Sequence, residues 1–187
     1  SGPLKNRSYD FSVLYSAASM SHTDLSIKLV IFSVVSGRLR VFGVRQKLPG
    51  GKLIPDKSLD QSAAAIFREN INISLKEIYF EQLYTFSLSK EKEQKEISVV
   101  YYFLVPEHKI YSNRKNWYEL DGIKADKNDR EVILYAVQRL RWKIEYTNVV
   151  YSLLPPEFTF SQLQSTYESI LGRILDKRNF RKKIISL

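Results

Sequence analysis

The chain has 187 residues, 44% hydrophobic and 26% charged, with a formal net charge of +9. That length and balance suit one large or two small globular domains, and the longest apolar runs, such as Leu29 to Val35, are far too short to cross a bilayer. Without cysteine there can be no disulfide, thiol nucleophile or Cys-ligated zinc, and two scattered histidines, His22 and His108, support neither a His-rich metal site nor a His-based triad. No metal or cofactor is expected, and the basic balance points to nucleic acid or an anionic ligand.

The opening Ser-Gly-Pro lacks a Met and reads as a processing remnant. No signal peptide is visible, and a cytoplasmic location is expected. Residues 1–26 are expected to form an arm or a first strand, with Tyr9 to Tyr15 fitting either. Ile27 to Val35 is β-branched and apolar and predicts a strand; Ser36-Gly37-Arg38 predicts a turn, and Leu39 to Arg45 the returning strand. Pro49-Gly50-Gly51 predicts a tight turn. From Ser58 to Asn72 the apolar spacing becomes helical, through Leu59, Ala63, Ile66 and Phe67.

Ile78–Ser87 and Ile97–Val105 predict two further strands, joined across the sign-alternating run Lys90 to Glu96, which suits an exposed hairpin tip. Trp117 to Leu120 predicts a short strand or loop with a core Trp. The polar stretch Asp121 to Asp129 marks a domain boundary, placing one domain at 27–125 and a second at 126–187. The second reads as wholly helical. Arg130 to Tyr146 carries Val132, Ile133, Ala136, Val137, Leu140 and Ile144 on one face, and Thr147 to Leu154 predicts a short capped helix stopped by Pro155-Pro156.

The most informative stretch is Phe158 to Ile185. Thr159 and Gln162 form a capping box, Leu163, Tyr167, Ile170 and Leu171 recur at the helical period, and Gly172 suits a left-handed helix end. Asp176 then caps a second helix bearing Lys177, Arg178, Arg181, Lys182 and Lys183 around an apolar stripe of Phe180 and Ile184. From Leu171 onward there are six Lys/Arg against one Asp, more than half of the net charge. A helix, a glycine turn and a basic helix are the parts of a helix-turn-helix. Lys177, Arg178, Asn179, Arg181, Lys182 and Lys183 are the candidate DNA-binding residues, with Asn179 suited to an adenine edge. A basic terminal run is also compatible with a solvated tail, or with a helix that docks on an acidic partner. Phe180, four residues from Ile184, is expected in the core.

The phrase Leu153-Leu154-Pro155, Phe158-Thr159, Leu163-Gln164, Tyr167-Glu168 and Asp176-Lys177-Arg178-Asn179-Phe180-Arg181 resembles the C-terminal winged helix of the Nudix-related transcriptional regulators, the NrtR-type family and its sugar-responsive relatives. The resemblance implies an α+β fold: a Nudix-like α/β/α sandwich with a mixed sheet, followed by a small helical winged-helix-type domain. The chain ends at Leu187, barely past the reading helix, so the β-hairpin wing is expected to be missing. The resemblance also implies a degraded Nudix box upstream.

That box can be laid on this chain from Gly51. Its first Glu falls at Lys57 and its Arg at Ala65; its three helix carboxylates fall at Ile66, Glu69 and Asn70, and its closing Gly at Asn72. Positions i, i+3 and i+4 share a helix face, so the family's carboxylates aim together at Mg²⁺, which takes hard oxygen ligands. Glu69 alone cannot assemble that cluster, and a catalytically inactive domain is expected. Binding can outlast catalysis: Arg45, Gly50, Gly51, Lys52 and Glu69 are the candidate ligand-binding residues, and by resemblance the ligand is an ADP-ribose-like nucleotide sugar or a pentose. The alternative to binding is that the glycines only build a tight loop.

The expected function is a metabolite-responsive DNA-binding regulator, acting as a repressor. Its expected partners are a double-stranded DNA operator, a small-molecule effector and a second copy of the chain, with no membrane. The alternative is an active hydrolase of a nucleoside-diphosphate sugar using non-standard carboxylates, Glu77, Glu81 or Glu96 with Glu69.

Overall fold

The computed structural model describes residues 24–89, 95–110 and 114–186. The expected strand or arm at Tyr9–Tyr15 and the tip of the Lys90–Glu96 hairpin, residues 90–94, lie outside the described residues.

Six strands form one mixed sheet: β1 (Asp24–Val35), β2 (Arg38–Phe42), β3 (Gly50–Lys52), β4 (Tyr79–Ser89), β5 (Lys95–Leu104) and β6 (Trp117–Glu119), in the order β4-β5-β1-β2-β6, with β3 also on β1. β1 and β5 run parallel, from Asp24 opposite Glu96 to Phe32 opposite Leu104, and every other pairing is antiparallel. Strong β-propensity along β1 and β5, apolar on both sides, is what a strand covered on both faces requires. Alternation then sorts the side chains. Ile27, Leu29, Ile31, Val99, Tyr101 and Phe103 point to one face, and Val30, Phe32, Val34, Val100, Tyr102 and Leu104 to the other.

Helix α1 (Leu59–Asn70) covers the first face, its Ala63, Ile66 and Phe67 buried. Phe67 stacks on Phe103 at 4.6 Å and Phe80 on the same ring at 4.9 Å. The second face is covered by α2 (Lys127–Tyr146), a 3-10 segment (Asn148–Leu153), α3 (Phe160–Leu171) and α4 (Lys177–Ile185). The result is an α/β/α sandwich whose C-terminal helices share a core with one sheet face.

Local chemistry accounts for most helix ends. Ser58 with Gln61 and Thr159 with Gln162 form complete capping boxes, Asp126 and Asp176 cap α2 and α4, and Thr147 caps the 3-10 segment. α1 ends at Asn70, capped by Ile71, just before the place where the box would put its glycine.

Three expectations need correction. The returning strand ends at Phe42 rather than Arg45, because Val44 and Lys47 pair across their own two-residue turn. Arg45 and Gln46 both carry positive φ there, as a type I′ turn demands. The Pro49-Gly50-Gly51 turn is instead the start of β3 on the edge of β1, with neither glycine at positive φ. A Cβ on Gly50 would stand 2.8 Å from the Ile27 carbonyl, so this glycine serves close strand approach, not turning. The long helix expected from Arg130 starts earlier, at Lys127, because Asp126 caps it from within the polar stretch, where Ile123 and Asp129 are buried.

Candidate nucleic-acid interface and effector cleft

The corner between α3 and α4 is built from both sequence-local and reaching contacts. Gly172 closes α3 at φ +70°, with its N–H donated to the Glu168 carbonyl at 2.8 Å. The Glu168 carboxylate accepts from Gln164 Nε2 at 3.0 Å and from the Leu175 N–H at 2.9 Å, and Gln164 Nε2 also donates to the Leu175 carbonyl at 2.9 Å. Asp176 then accepts the Asn179 N–H at 2.8 Å and starts α4. Glu168 and Gln164 were part of the sequence resemblance. Their role as corner staples was not legible there, since it depends on where Leu175 lands.

α4 is pinned by one side. Phe180 is 6% exposed and meets Phe160 and Tyr167 edge-on at 5.4 and 5.1 Å, and half-buried Ile184 lies against the same cluster. This places Phe180 in the core, as expected. Burial, followed by the proximity of Tyr151, raises the Tyr167 hydroxyl above its ordinary pKa. With that side occupied, Lys177, Arg178, Asn179, Arg181, Lys182 and Lys183 are all exposed. None of these cations forms an ion pair among the described residues; Arg181 rests over the Phe160 ring at 5.5 Å. The helix therefore offers five uncompensated charges on one short cylinder.

The helices are tied to the sheet by specific polar contacts. Arg141 of α2 donates Nε–H to the Ile170 carbonyl at 2.8 Å, in the last turn of α3, and a Cβ on Gly172 would stand 3.3 Å from its guanidinium. Ser169 Oγ lies 2.6 Å from the Gly37 carbonyl in the β1–β2 turn. α2 itself is fastened near both ends. Near its start, Lys28 on β1 meets the buried carboxylate of Asp129 at 2.5 Å, whose other oxygen accepts the Leu48 N–H at 2.8 Å. Toward its C-terminal end, Lys143 meets Glu81 on β4, which also accepts from the Tyr79 and Tyr102 hydroxyls. Burial pushes the Glu81 carboxyl up, but hydrogen bonds from Lys143, Tyr102 and Tyr79 outweigh it and leave it below the usual carboxylate range. Burial and then Glu81 push the Tyr102 hydroxyl well above its ordinary value.

A cleft of about 320 Å³ lies along β3, lined by Ser26, Lys28, Leu48, Gly50, Gly51, Lys52, Glu96 and their neighbours. Of the five candidate ligand residues, Gly50, Gly51 and Lys52 line it. Arg45, at the tip of the Val44–Lys47 turn, and Glu69, exposed on α1, do not. Lys28 was absent from the candidates. It sits in the middle of an apolar strand, and nothing in its sequence neighbours announces a role.

At the box positions, Ile66 is buried against Gly51, Asn70 donates to the Ile66 carbonyl at 2.8 Å, and Glu69 is exposed. Among the described residues no group of three or more His, Asp or Glu is placed to hold a metal ion. The alternative carboxylates are not gathered into one site. Glu77 pairs with Lys109 at 2.6 Å, and this hydrogen bond and charge hold its carboxyl below the ordinary value. Glu81 belongs to the α2 fastening, and Glu96 to the β3 cleft. No helix is long and apolar enough to cross a membrane among the described residues.

Comparison with known proteins agrees with this architecture. Residues 150–187 match the family model described as the NrtR DNA-binding winged helix domain. The chain is 29% identical over 181 residues to the ADPR responsive transcriptional repressor NtrR of Acinetobacter baylyi, covering 86% of this chain and 72% of the relative. The crystal structure of Shewanella oneidensis NrtR complexed with a 27mer DNA superposes with a TM-score of 0.74 at 24% identity, over 87% of this chain and 82% of the other. The Nudix domain of the same protein, complexed with ADP ribose, superposes with a TM-score of 0.50 at 20% identity, over 71% of this chain and 99% of the other. The chain thus shares its overall fold with NrtR, a Nudix-like mixed sheet followed by C-terminal helices, and its residues 150–187 are similar to the NrtR DNA-binding winged helix domain.

Proposed function

We propose that this chain is a metabolite-responsive transcriptional repressor, in which α4 holds operator DNA and the β3 cleft takes an ADP-ribose-like nucleotide sugar. The observation that carries it is the state of α4: its apolar side is seated on Phe160 and Tyr167, and its cations face solvent without ion pairs among the described residues. Charges kept unpaired on a seated helix suit phosphate contact, where neutralisation releases counterions. The similarity to an ADPR responsive repressor supports the choice of DNA and of effector. Lys177, Arg178, Asn179, Arg181, Lys182 and Lys183 form the proposed DNA surface. Gly50, Gly51 and Lys52 form the proposed effector surface; Arg45 and Glu69, the other two candidates, do not line it.

A homodimer is part of the same reading. Two-fold symmetry places two reading helices about 34 Å apart on a palindromic site. The division is proposed at 27–125 and 126–187, with α2 as the element through which the DNA-binding unit rides on the sheet; β1 itself begins at Asp24, ahead of that first bound. The first domain is proposed to be catalytically silent, because Ile66 and Asn70 supply no carboxylate beside Glu69 and Lys57 brings a positive charge.

The test is selection of a binding site from random-sequence DNA, followed by a salt titration. Log K is expected to fall linearly with log salt, with a slope of about −0.9 for each phosphate neutralised. Equal affinity for selected and scrambled duplexes defeats operator recognition and leaves only polyanion attraction. Incubation with Mg²⁺ and ADP-ribose is expected to give no turnover; turnover abolished by Glu69→Gln overturns the silent-domain reading.

A further inference from the structure

Lys28 is shared between two environments. It lines the β3 cleft, with its side chain 19% exposed, and its ammonium is held by Asp129, whose side chain is 3% exposed. Among the described residues the Asp129 carboxylate has two partners, Lys28 and the Leu48 N–H, and both Lys28 and Leu48 belong to the cleft wall. The carboxylate itself belongs to the first turn of α2. The cleft and the long helix thus meet at one buried ion pair, which joins residues 101 positions apart.

We propose that Lys28 is the anion-binding residue of the cleft, and that a phosphate or diphosphate group bound there draws it away from Asp129 and so reports occupancy to α2. This rests on the effector reading of the same cleft. Two cations, Lys28 and Lys52, and one acidic residue, Glu96, line the wall, with the Asp129 carboxylate buried behind Lys28, so an anion gains Lys28 only in competition with Asp129. Competition follows from chemistry, because a multiply charged phosphate is a stronger partner for an ammonium than one carboxylate. Once Lys28 turns to the ligand, Asp129 keeps only the Leu48 N–H, and a buried carboxylate short of a partner is costly where it stands. The first turn of α2 then shifts toward solvent or toward another donor.

The far half of α2 carries that shift to the DNA surface. Asp129 and Arg141 are twelve residues apart on one continuous helix, about 18 Å at 1.5 Å per residue. Arg141 holds the Ile170 carbonyl and packs at Gly172, the corner from which α4 sets out. A rigid element with different partners in the two states is the physical requirement for coupling between sites.

The test uses the full chain and two variants, Asp129→Asn and the double variant Lys28→Gln/Asp129→Asn. Asn keeps an oxygen for the Leu48 N–H and leaves the part-buried Lys28 ammonium facing the cleft without its carboxylate, whereas the double variant removes both charges; thermal unfolding checks the fold of each. With inorganic pyrophosphate as the probe in calorimetry, Asp129→Asn is expected to bind at least fivefold more tightly than the parent chain, and the double variant at least fivefold more weakly. Equal affinities across the three overturn Lys28 as the anion residue, whatever ADP-ribose does. In the presence of selected DNA, ADP-ribose is expected to weaken DNA binding by the parent chain but to change that of Asp129→Asn less than twofold. If the parent chain shows no response to ADP-ribose, the effector reading fails while the pyrophosphate arm still decides the role of Lys28. If parent and Asp129→Asn respond equally, the effector reading stands and the coupling through Asp129 falls.

Discussion

Glu168 reaches past the end of its own helix to accept the backbone N–H of Leu175 at 2.9 Å, and so holds the corner that aims α4. Glu168→Ala leaves the Leu175 N–H and Gln164 Nε2 without that oxygen. A lost charge-assisted bond of this kind costs about 1–3 kcal/mol. Affinity for selected DNA is expected to drop with helix content nearly unchanged by circular dichroism. Unaltered affinity means the corner is held without the staple.

Gly172 is the other constraint at the corner. An alanine there must adopt φ +70° and bring its Cβ to 3.3 Å from the Arg141 guanidinium. Gly172→Ala is expected to destabilise the fold by about 1–2 kcal/mol, the range of a left-handed residue with a Cβ. Denaturant midpoints at constant m-value measure it. A change below about 0.3 kcal/mol would show that the corner relaxes freely.

Phe180 and Lys182 sit two residues apart on α4 and separate seating from contact. Phe180→Ala removes a buried ring and is expected to cost about 3–5 kcal/mol of stability, with loss of DNA binding. Lys182→Ala removes only exposed charge and is expected to change stability by less than about 0.5 kcal/mol. Its signature is a salt slope of DNA binding shallower by about 1. Matching losses of stability in the two variants would contradict the division between the two sides of the helix.

The Glu81–Lys143 fastening gives α2 a pH signature. Hydrogen bonds outweigh burial and hold the Glu81 carboxyl below its unfolded value, so this group stabilises the fold above the ordinary carboxylate pKa of about 4.3 and loses that contribution as pH falls through the lower folded value. Lys143 has the opposite sense. Burial lowers its pKa, but the hydrogen bond to Glu81 and further contacts raise it more, so its contribution is full below the ordinary lysine value and is lost as pH rises through the folded one. Glu81→Gln is expected to flatten the acid limb of the stability profile, read from urea midpoints between about pH 3 and 5. An acid limb identical to that of the parent chain rules the network out as its source.

Contacts within a few residues were legible in the sequence, because their chemistry is local. Ser58 with Gln61, Thr159 with Gln162, Asp176 and Gly172 each announce a helix end through side-chain reach or backbone freedom. The apolar period of α3 and the stripe of Phe180 and Ile184 followed from the same helical repeat, and with them the exposed cations. Gly50 misled because a glycine required by a neighbouring strand looks like one required by a turn. Only the three-dimensional approach of the Ile27 carbonyl distinguishes them.

What the amino-acid order determined alone was therefore the list of elements, their caps and the two-sided character of the last helix. The tertiary structure decided which distant residues became partners: Lys28 with Asp129, Glu81 with Lys143, Arg141 with the Ile170 carbonyl. Those pairs are set by where α2 lands on the sheet and on α3, and a side chain's immediate neighbours carry no record of a partner brought up from 29, 62 or 101 residues away.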